Sequence, residues 1–305
     1  MHVKLFVFIA ICFYSCNNTK SIKTEVRAPK KEIFWSYYEL CNTARDSFSS
    51  GNYTTASQLF AKAINSVKNP FWLDLGKAIE TELILKNTTK AKEYSLILAK
   101  KYAIFPSKKY FKVIPQIDYN DFIAELEPII EQTKQNYDQE YIALIDSLRN
   151  IDQGIRANGG IPNYGGSINI DSLNTHCLLG LIDRFGFPSA HKVGIKYYHF
   201  ADIIFTHADF DFDNILLGDL LYKAVEQGDY KPCDYAEISD RRCNFYPLKA
   251  KPYVYFEIPI GYEELSETEK QEVTQRRKKI GLRSVESSLV IEILPSGDVR
   301  ITPIN

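Results

Sequence analysis

Eight side chains in the second half of the chain have the types and spacings that acid–base or ligand chemistry uses. Asp152 and Gln153 precede Arg156 by four and three residues, which puts a carboxylate and a guanidinium on one helix face. Asp171 and Asn174 stand three apart on the next helical stretch, His207 with Ala208 closes an apolar one, and Asp240 and Arg241 are adjacent on a later one. Histidine takes up and releases a proton near neutral pH, and a neighbouring carboxylate fixes which ring nitrogen holds it. His207 is therefore the candidate general base of a hydrolase, with Asp171 or Asp240 as the carboxylate that orients it. An under-paired arginine would draw a small anionic or polar ligand, so all eight residues are candidate ligand-binding groups. Each also has a purely structural reading. Asp152 and Arg156 form an ordinary i,i+4 pair, Asp171 caps a helix, His207 sits as a cation at a helix C-terminus, and Asp240–Arg241 is a buried brace.

Other chemistries fit less well. His207-Ala208-Asp209-Phe210-Asp211-Phe212-Asp213 alternates acids with aromatics, but a calcium loop needs Gly where Asn214 stands and Glu where Leu220 stands. His176, His191 and His199 have no zinc-ligand spacing. Gly159 to Gly166 is too irregular for a phosphate-binding fingerprint, and the chain has neither a Gly-x-Ser-x-Gly elbow nor a Walker loop. The expectation is a site with no metal and no cofactor.

In order, Asp152-Gln153-x-x-Arg156, Asp171-x-x-Asn174, Gly186-Phe187-Pro188, Val193-Gly194, His207-Ala208 and Asp240-Arg241, closed by Arg277-x-x-x-Gly281-Leu282, resemble an uncharacterised domain family of bacteria. Members are often exported and often preceded by helical repeats. The resemblance covers about residues 140–285 and implies which residues to suspect, without implying a reaction. The family tends to carry Gln-x-Tyr-Gly after Asp-Arg; here Tyr253-Val254-Tyr255-Phe256 has no glycine, so an activity that needs that turn would be altered.

The elements that must position these groups are mostly helical. Phe34, Tyr37, Tyr38, Cys41, Ala44 and Phe48 recur at spacings of three and four, then Gly51-Asn52 breaks the pattern before Tyr53, Ala56, Leu59, Phe60, Ala63 and Val67. Helices over Phe71–Lys86 and Thr88–Tyr102 follow, with Thr88 or Thr89 as N-cap. Ala44 to Ala63 resembles a tetratricopeptide repeat and Ala78 to Leu98 a degenerate second copy; such helices offer a surface to a protein or peptide partner. Further helices are expected over Asn120–Lys134, Asp138–Asn158, Ile170–Phe185, Tyr197–His207, Phe212–Gln227, Asp234–Arg242 and Glu267–Ile280. Tyr253–Ile258 alternates like a strand, and Leu289–Leu294 with Val299–Pro303 reads as a β-hairpin around Pro295-Ser296-Gly297-Asp298. The fold class is mainly α: antiparallel helical hairpins packed on a second α-helical domain with a small C-terminal β-hairpin.

Met1 to Lys4 is a short basic start and Leu5–Tyr14 an apolar run, too short for the about 20 residues of a bilayer span and suited to an export signal. Ser15-Cys16 after Phe13 resembles the lipobox of bacterial lipoproteins. This implies a signal peptide over 1–15, a lipid on Cys16 and a tether over 16–31. A helical-repeat region over 32–137 and an α-rich domain over 138–305 complete the division. The expected location is the bacterial cell envelope, anchored to the membrane through that lipid. Export permits disulfides, and Cys233 with Cys243 could close a loop, whereas Cys41 and Cys177 read as buried thiols. The 305 residues carry 37 basic and 38 acidic groups, and 20 Tyr with 18 Phe argue for a packed core. A net charge of −1 gives no reason to expect nucleic acid. The charge is uneven: residues 17–137 hold 18 basic against 13 acidic groups, residues 138–305 hold 18 against 25. The function expected is therefore a lipid-anchored envelope protein with a partner-binding helical region and a polar ligand pocket. A hydrolase using His207 and a structural scaffold are the alternatives.

Overall fold

The computed structural model describes residues 31–113, 118–157, 170–208, 215–244, 254–255, 257, 262–285, 289–293 and 299–303. The lipobox with Cys16, the tether, the glycine-rich loop at 159–166 and the acidic loop at 209–213 lie outside the described residues. The protein is mainly helical, and two compact units divide it: Gln135–Ile215, and Lys30–Lys134 together with Leu216–Asn305. No helix among the described residues is long and apolar enough to cross a membrane.

The first boundary falls between 134 and 135, three residues from the expected 137 and 138; what differs is residues 216–305, which belong with the N-terminal helices rather than with 138–215. Bonds of long sequence separation account for it. Tyr38 Oη donates to the Val225 carbonyl at 3.0 Å, Asn42 Nδ2 to the Gly281 carbonyl at 2.9 Å, and Arg283 pairs with Asp46.

The larger unit begins with four helices, α1 (Lys31–Ser49), α2 (Tyr53–Ser66), α3 (Trp72–Ile84) and α4 (Thr88–Tyr102), each packed on the next. Ala44, Ala56 and Ala63 are fully buried, small enough for α1 and α2 to approach closely. Two buried carboxylates lie in this region, and both are fully partnered, as burial demands. Asp74 accepts from Tyr37 at 2.5 Å and Arg45 at 2.6 Å; Glu82 accepts from Ser57 at 2.5 Å and Asn87 at 3.0 Å. The cap of α4 is Asn87, whose side chain accepts from Lys90 N, not Thr88 or Thr89. After a 3-10 turn (Lys108–Val113), the single helix expected over 120–134 is two, α5 (Tyr119–Ala124) and α6 (Glu127–Gln135). Pro128, without an N–H to continue a ladder, belongs in a first turn, so the chain restarts there.

The smaller unit is built on α7 (Gln139–Ala157), α8 (Ile170–Phe185), α9 (Ala190–Val193) and α10 (Ile195–His207). α7, α8 and α10 pack on one another. Their buried stripe runs through Tyr141, Ile145 and Leu148 on α7, Leu178 and Ile182 on α8, and Tyr198, Ala201, Ile204 and Phe205 on α10. Gly186-Phe187-Pro188 does end α8: Gly186, at φ +78°, sends its N–H to the Ile182 carbonyl at 2.7 Å.

The rest of the larger unit holds α11 (Ile215–Gln227), α12 (Pro232–Asn244), α13 (Glu267–Lys279), and strands β1 (Leu289–Ile293) and β2 (Val299–Pro303), paired antiparallel with Leu289 opposite Pro303. Val254, Tyr255 and Glu257, within the stretch expected as a strand, are in neither helix nor strand. The proposed Cys233–Cys243 loop is not formed. Both residues lie in α12, ten residues and so about 15 Å apart along its axis, far beyond the reach of a disulfide. Cys233 is a thiol donating to Asp234 Oδ1 at 3.4 Å; Cys41 is a buried thiol and Cys177 a half-buried one, and none of the three is in a disulfide.

Candidate functional site

On α7 the buried positions advance by four, three and four: Tyr141, Ile145, Leu148, then Asp152, with Arg156 one turn further. A helix that presents its core stripe at 141–148 therefore carries Asp152 inward. α8 does the same from the other direction, beginning with Asp171 and Asn174 before Leu178 and Ile182, and α10 brings His207 at its C-terminal end. The polar ends of three apolar stripes meet, and three elements are thereby tied at one point.

Asp152 is completely buried. Its carboxylate receives His207 Nδ1 at 3.0 Å to each oxygen, Arg156 Nη1 at 3.0 Å and Gln153 Nε2 at 2.6 Å. Arg156 turns its Nη2 to Asp171 Oδ1 at 2.8 Å, so one guanidinium joins carboxylates from two helices. Burial alone would raise the Asp152 carboxyl, but the bonds from His207 and Gln153 and the Arg156 charge outweigh it and hold it below the usual value. An ionised carboxylate only accepts, so the proton it faces belongs on His207 Nδ1. Asp171 is also buried, at 2% exposure, and Thr175 Oγ1 bonds its carbonyl. Asn174 is buried beside them on α8, and its Nδ2 has no partner. The two cationic or basic members keep an edge in water: the Arg156 side chain is 23% exposed and the His207 side chain 19%.

Asp152, Asp171 and His207 each place one oxygen or nitrogen within 4.8 Å of the others, the spacing a metal ion could use. The donor set does not favour one. The Arg156 guanidinium already bridges the two carboxylates and supplies the positive charge a metal would bring, and the Nδ1 proton blocks that nitrogen as a ligand.

Asp240 and Arg241 stand apart from this network, on α12 in the other unit. Asp240 is sealed from solvent and accepts three backbone N–H groups, from Val254 and Tyr255 at 2.9 Å and Glu257 at 2.7 Å. Burial raises its carboxyl, with those N–H bonds and the Arg277 charge acting against it. Arg277, 1% exposed, donates to the Tyr255 carbonyl at 2.7 Å and to Glu257 at 3.0 Å. Asp240 thus braces an irregular segment.

The carboxylate that orients His207 is Asp152, rather than Asp171 or Asp240, which the sequence offered for that role. Compared with known proteins, the chain matches no family model, no curated protein and no solved structure.

Proposed function

We propose that residues 135–215 form a polar-ligand site with His207 as its proton-handling group, carried by a lipid-anchored protein of the bacterial cell envelope. One observation carries the site: His207 Nδ1 is bonded to a carboxylate that water cannot reach, while the His207 ring and the Arg156 guanidinium stay partly open. A histidine held this way has its tautomer fixed and its second nitrogen available, which favours the hydrolase reading, with His207 as general base and Asp152 orienting it.

The finer architecture supports a partner-binding role for the first helices. The turn Gly51-Asn52 recurs 35 residues later as Lys86-Asn87, both first residues at positive φ and both asparagines capping the following helix. Even the bonds repeat: Asn52 N to Ser47 O and Asn87 N to Glu82 O, each 2.8 Å. That period is close to the 34 residues of a tetratricopeptide repeat. In this reading α1–α4 are two such helical hairpins, which a β1–β2 hairpin at the C-terminal end accompanies. The envelope address rests on Leu5–Tyr14 and Ser15-Cys16, and Cys16→Ser should release the chain from membranes and abolish lipid labelling.

The test of the site is mass spectrometry of small molecules retained by the mature protein, with ester and amide hydrolysis measured for wild type and His207→Gln. Retention of a polar molecule that Arg156→Met loses, with turnover that His207→Gln removes, is the expected outcome. Equal retention and equal turnover in wild type and both variants would remove the site and leave the scaffold.

A further inference from the structure

We infer that the ligand of this site carries an oxyanion, a carboxylate or phosphate group, held by Arg149 in a groove on the outer face of α7; the inference builds on the polar-ligand reading above. The groove is an open depression of about 530 Å³ lined by Arg149, Asn150, Gln153, Gly154, Arg156 and Ala157. Among the described residues that line it, two are arginines, two are amides and none is a carboxylate. Arg156 spends its guanidinium on Asp152 and Asp171. Arg149 does not: it makes no ion pair among the described residues, its Nη1 donates only to the Asn150 side chain at 3.2 Å, and its Nε is buried without a partner. Its plane is nonetheless held in place, because the guanidinium lies over the Phe200 ring at 4.8 Å from the centroid. A fixed guanidinium with unused donors is what a carboxylate or phosphate binds in a forked geometry.

The rest of the molecule sharpens the contrast. The larger unit has a cavity of about 200 Å³ with four cations on its wall, and each is paired: Arg45 with Asp74, Lys231 with Asp234, Arg277 with Glu257, Arg283 with Asp46. That cavity has no cation to offer a ligand; the α7 groove does.

The groove also has a floor suited to a ligand. Gly154 is exposed, and a Cβ built there meets nothing within 4 Å, so the groove has open space over that position. Gln153, which lines the same groove, donates to Asp152. A bound anion therefore sits one residue from the His207 network, with its charged group on Arg149 and the remainder of the molecule free to reach the imidazole.

The experiment is calorimetric titration of the full chain with inorganic phosphate and, in a parallel arm, with acetate. Saturable binding of either is expected, and which one binds names the source of the oxyanion. Arg149→Met should weaken it at least about tenfold, the loss expected for one charge-assisted hydrogen bond. Gly154→Leu should abolish binding by filling the groove, with the melting temperature unchanged or raised, because a helix interior prefers leucine to glycine. Lys68→Met, an exposed cation of the larger unit outside the groove, should leave oxyanion binding within about twofold, and the turnover of His207→Gln is measured apart from it, so the failure of His207 as a base and the failure of the oxyanion site are read separately. Absence of saturable binding in both arms, or equal affinity in wild type and Arg149→Met, overturns the inference.

Discussion

Replacing Arg156 by methionine tests the network directly, because it removes the charge and keeps much of the aliphatic length. The wild-type guanidinium makes ion pairs of 3.0 and 2.8 Å to carboxylates that are 0% and 2% exposed. Breaking a buried pair by deleting one partner costs about 3–5 kcal/mol, chiefly because a charge is left without compensation. Arg156 is 23% exposed, so water enters as the side chain leaves, and His207 and Gln153 still serve Asp152. The expected loss is therefore about 2–3 kcal/mol. Urea unfolding followed by far-ultraviolet circular dichroism reads it. With a slope of about 1 kcal/mol per molar for a unit of this size, the midpoint of its transition should fall by about 2–3 M. Both tryptophans, Trp35 and Trp72, lie in the other unit, so tryptophan emission followed alongside tells where the loss falls. Arg156→Lys should lie between, since one ammonium cannot reproduce a fork reaching two carboxylates. A midpoint shift below about 0.5 M for Arg156→Met would mean a solvated surface pair and would refute the reasoning.

Acid titration follows from Asp152. Its carboxyl is held below the usual value in the folded state, so its contribution is complete above the unfolded value of about 3.9 and is lost as pH falls through the lower folded value. Stability of wild type should drop steeply below about pH 4, and Asp152→Asn, less stable at neutral pH, should show a flatter acid limb. Gly228→Ala should destabilise by more than about 2 kcal/mol, read by thermal melting. The position has φ +73°, and an added Cβ would lie 1.8 Å from Phe34 Cε1, so the ring must be expelled. Asp240→Asn replaces an acceptor of three N–H groups by an amide that can accept on one side only, and hydrogen exchange at Val254, Tyr255 and Glu257 should accelerate at least about tenfold.

Much of the helical content was legible because caps and stripes are local. The apolar spacing predicts the helix over Ile170–Phe185 and the helix over Thr88–Tyr102 with their observed bounds. Asp152 and Asp171 were marked locally by their spacings to Arg156 and Asn174, while their place at the ends of buried stripes shows only in the fold. What periodicity cannot give is the partner across the core. Whether His207 meets Asp152, Asp171 or Asp240 depends on how α10 lies on α7, and no local spacing encodes that. Arg149 went unnoticed for a related reason: it looks like any surface arginine until its lack of a carboxylate is visible. The continuous helix through Cys233 and Cys243 was obscured by Pro232, which reads as a breaker in sequence and stands at the first helical position, where its missing N–H costs nothing.

The arginine–carboxylate networks around Arg277 and Arg156 differ in what they hold. Around Arg277 the network is closed: the guanidinium is 1% exposed, Asp240 is sealed, and the bonds run to backbone groups of Val254, Tyr255, Glu257 and Arg283, which lie outside any helix or strand ladder. That is how this protein braces a segment. Around Arg156 the carboxylates are equally deep, but the bonds run between side chains of three helices that already have their own backbone ladders and a shared apolar core. Burying two carboxylates costs several kcal/mol unless their partners are held well, and apolar side chains at 152 and 171 would continue the stripes at less expense. In the proposed reading, the arrangement is retained because it holds His207 and Arg156 at the water edge, which an apolar core at 152 and 171 would not do.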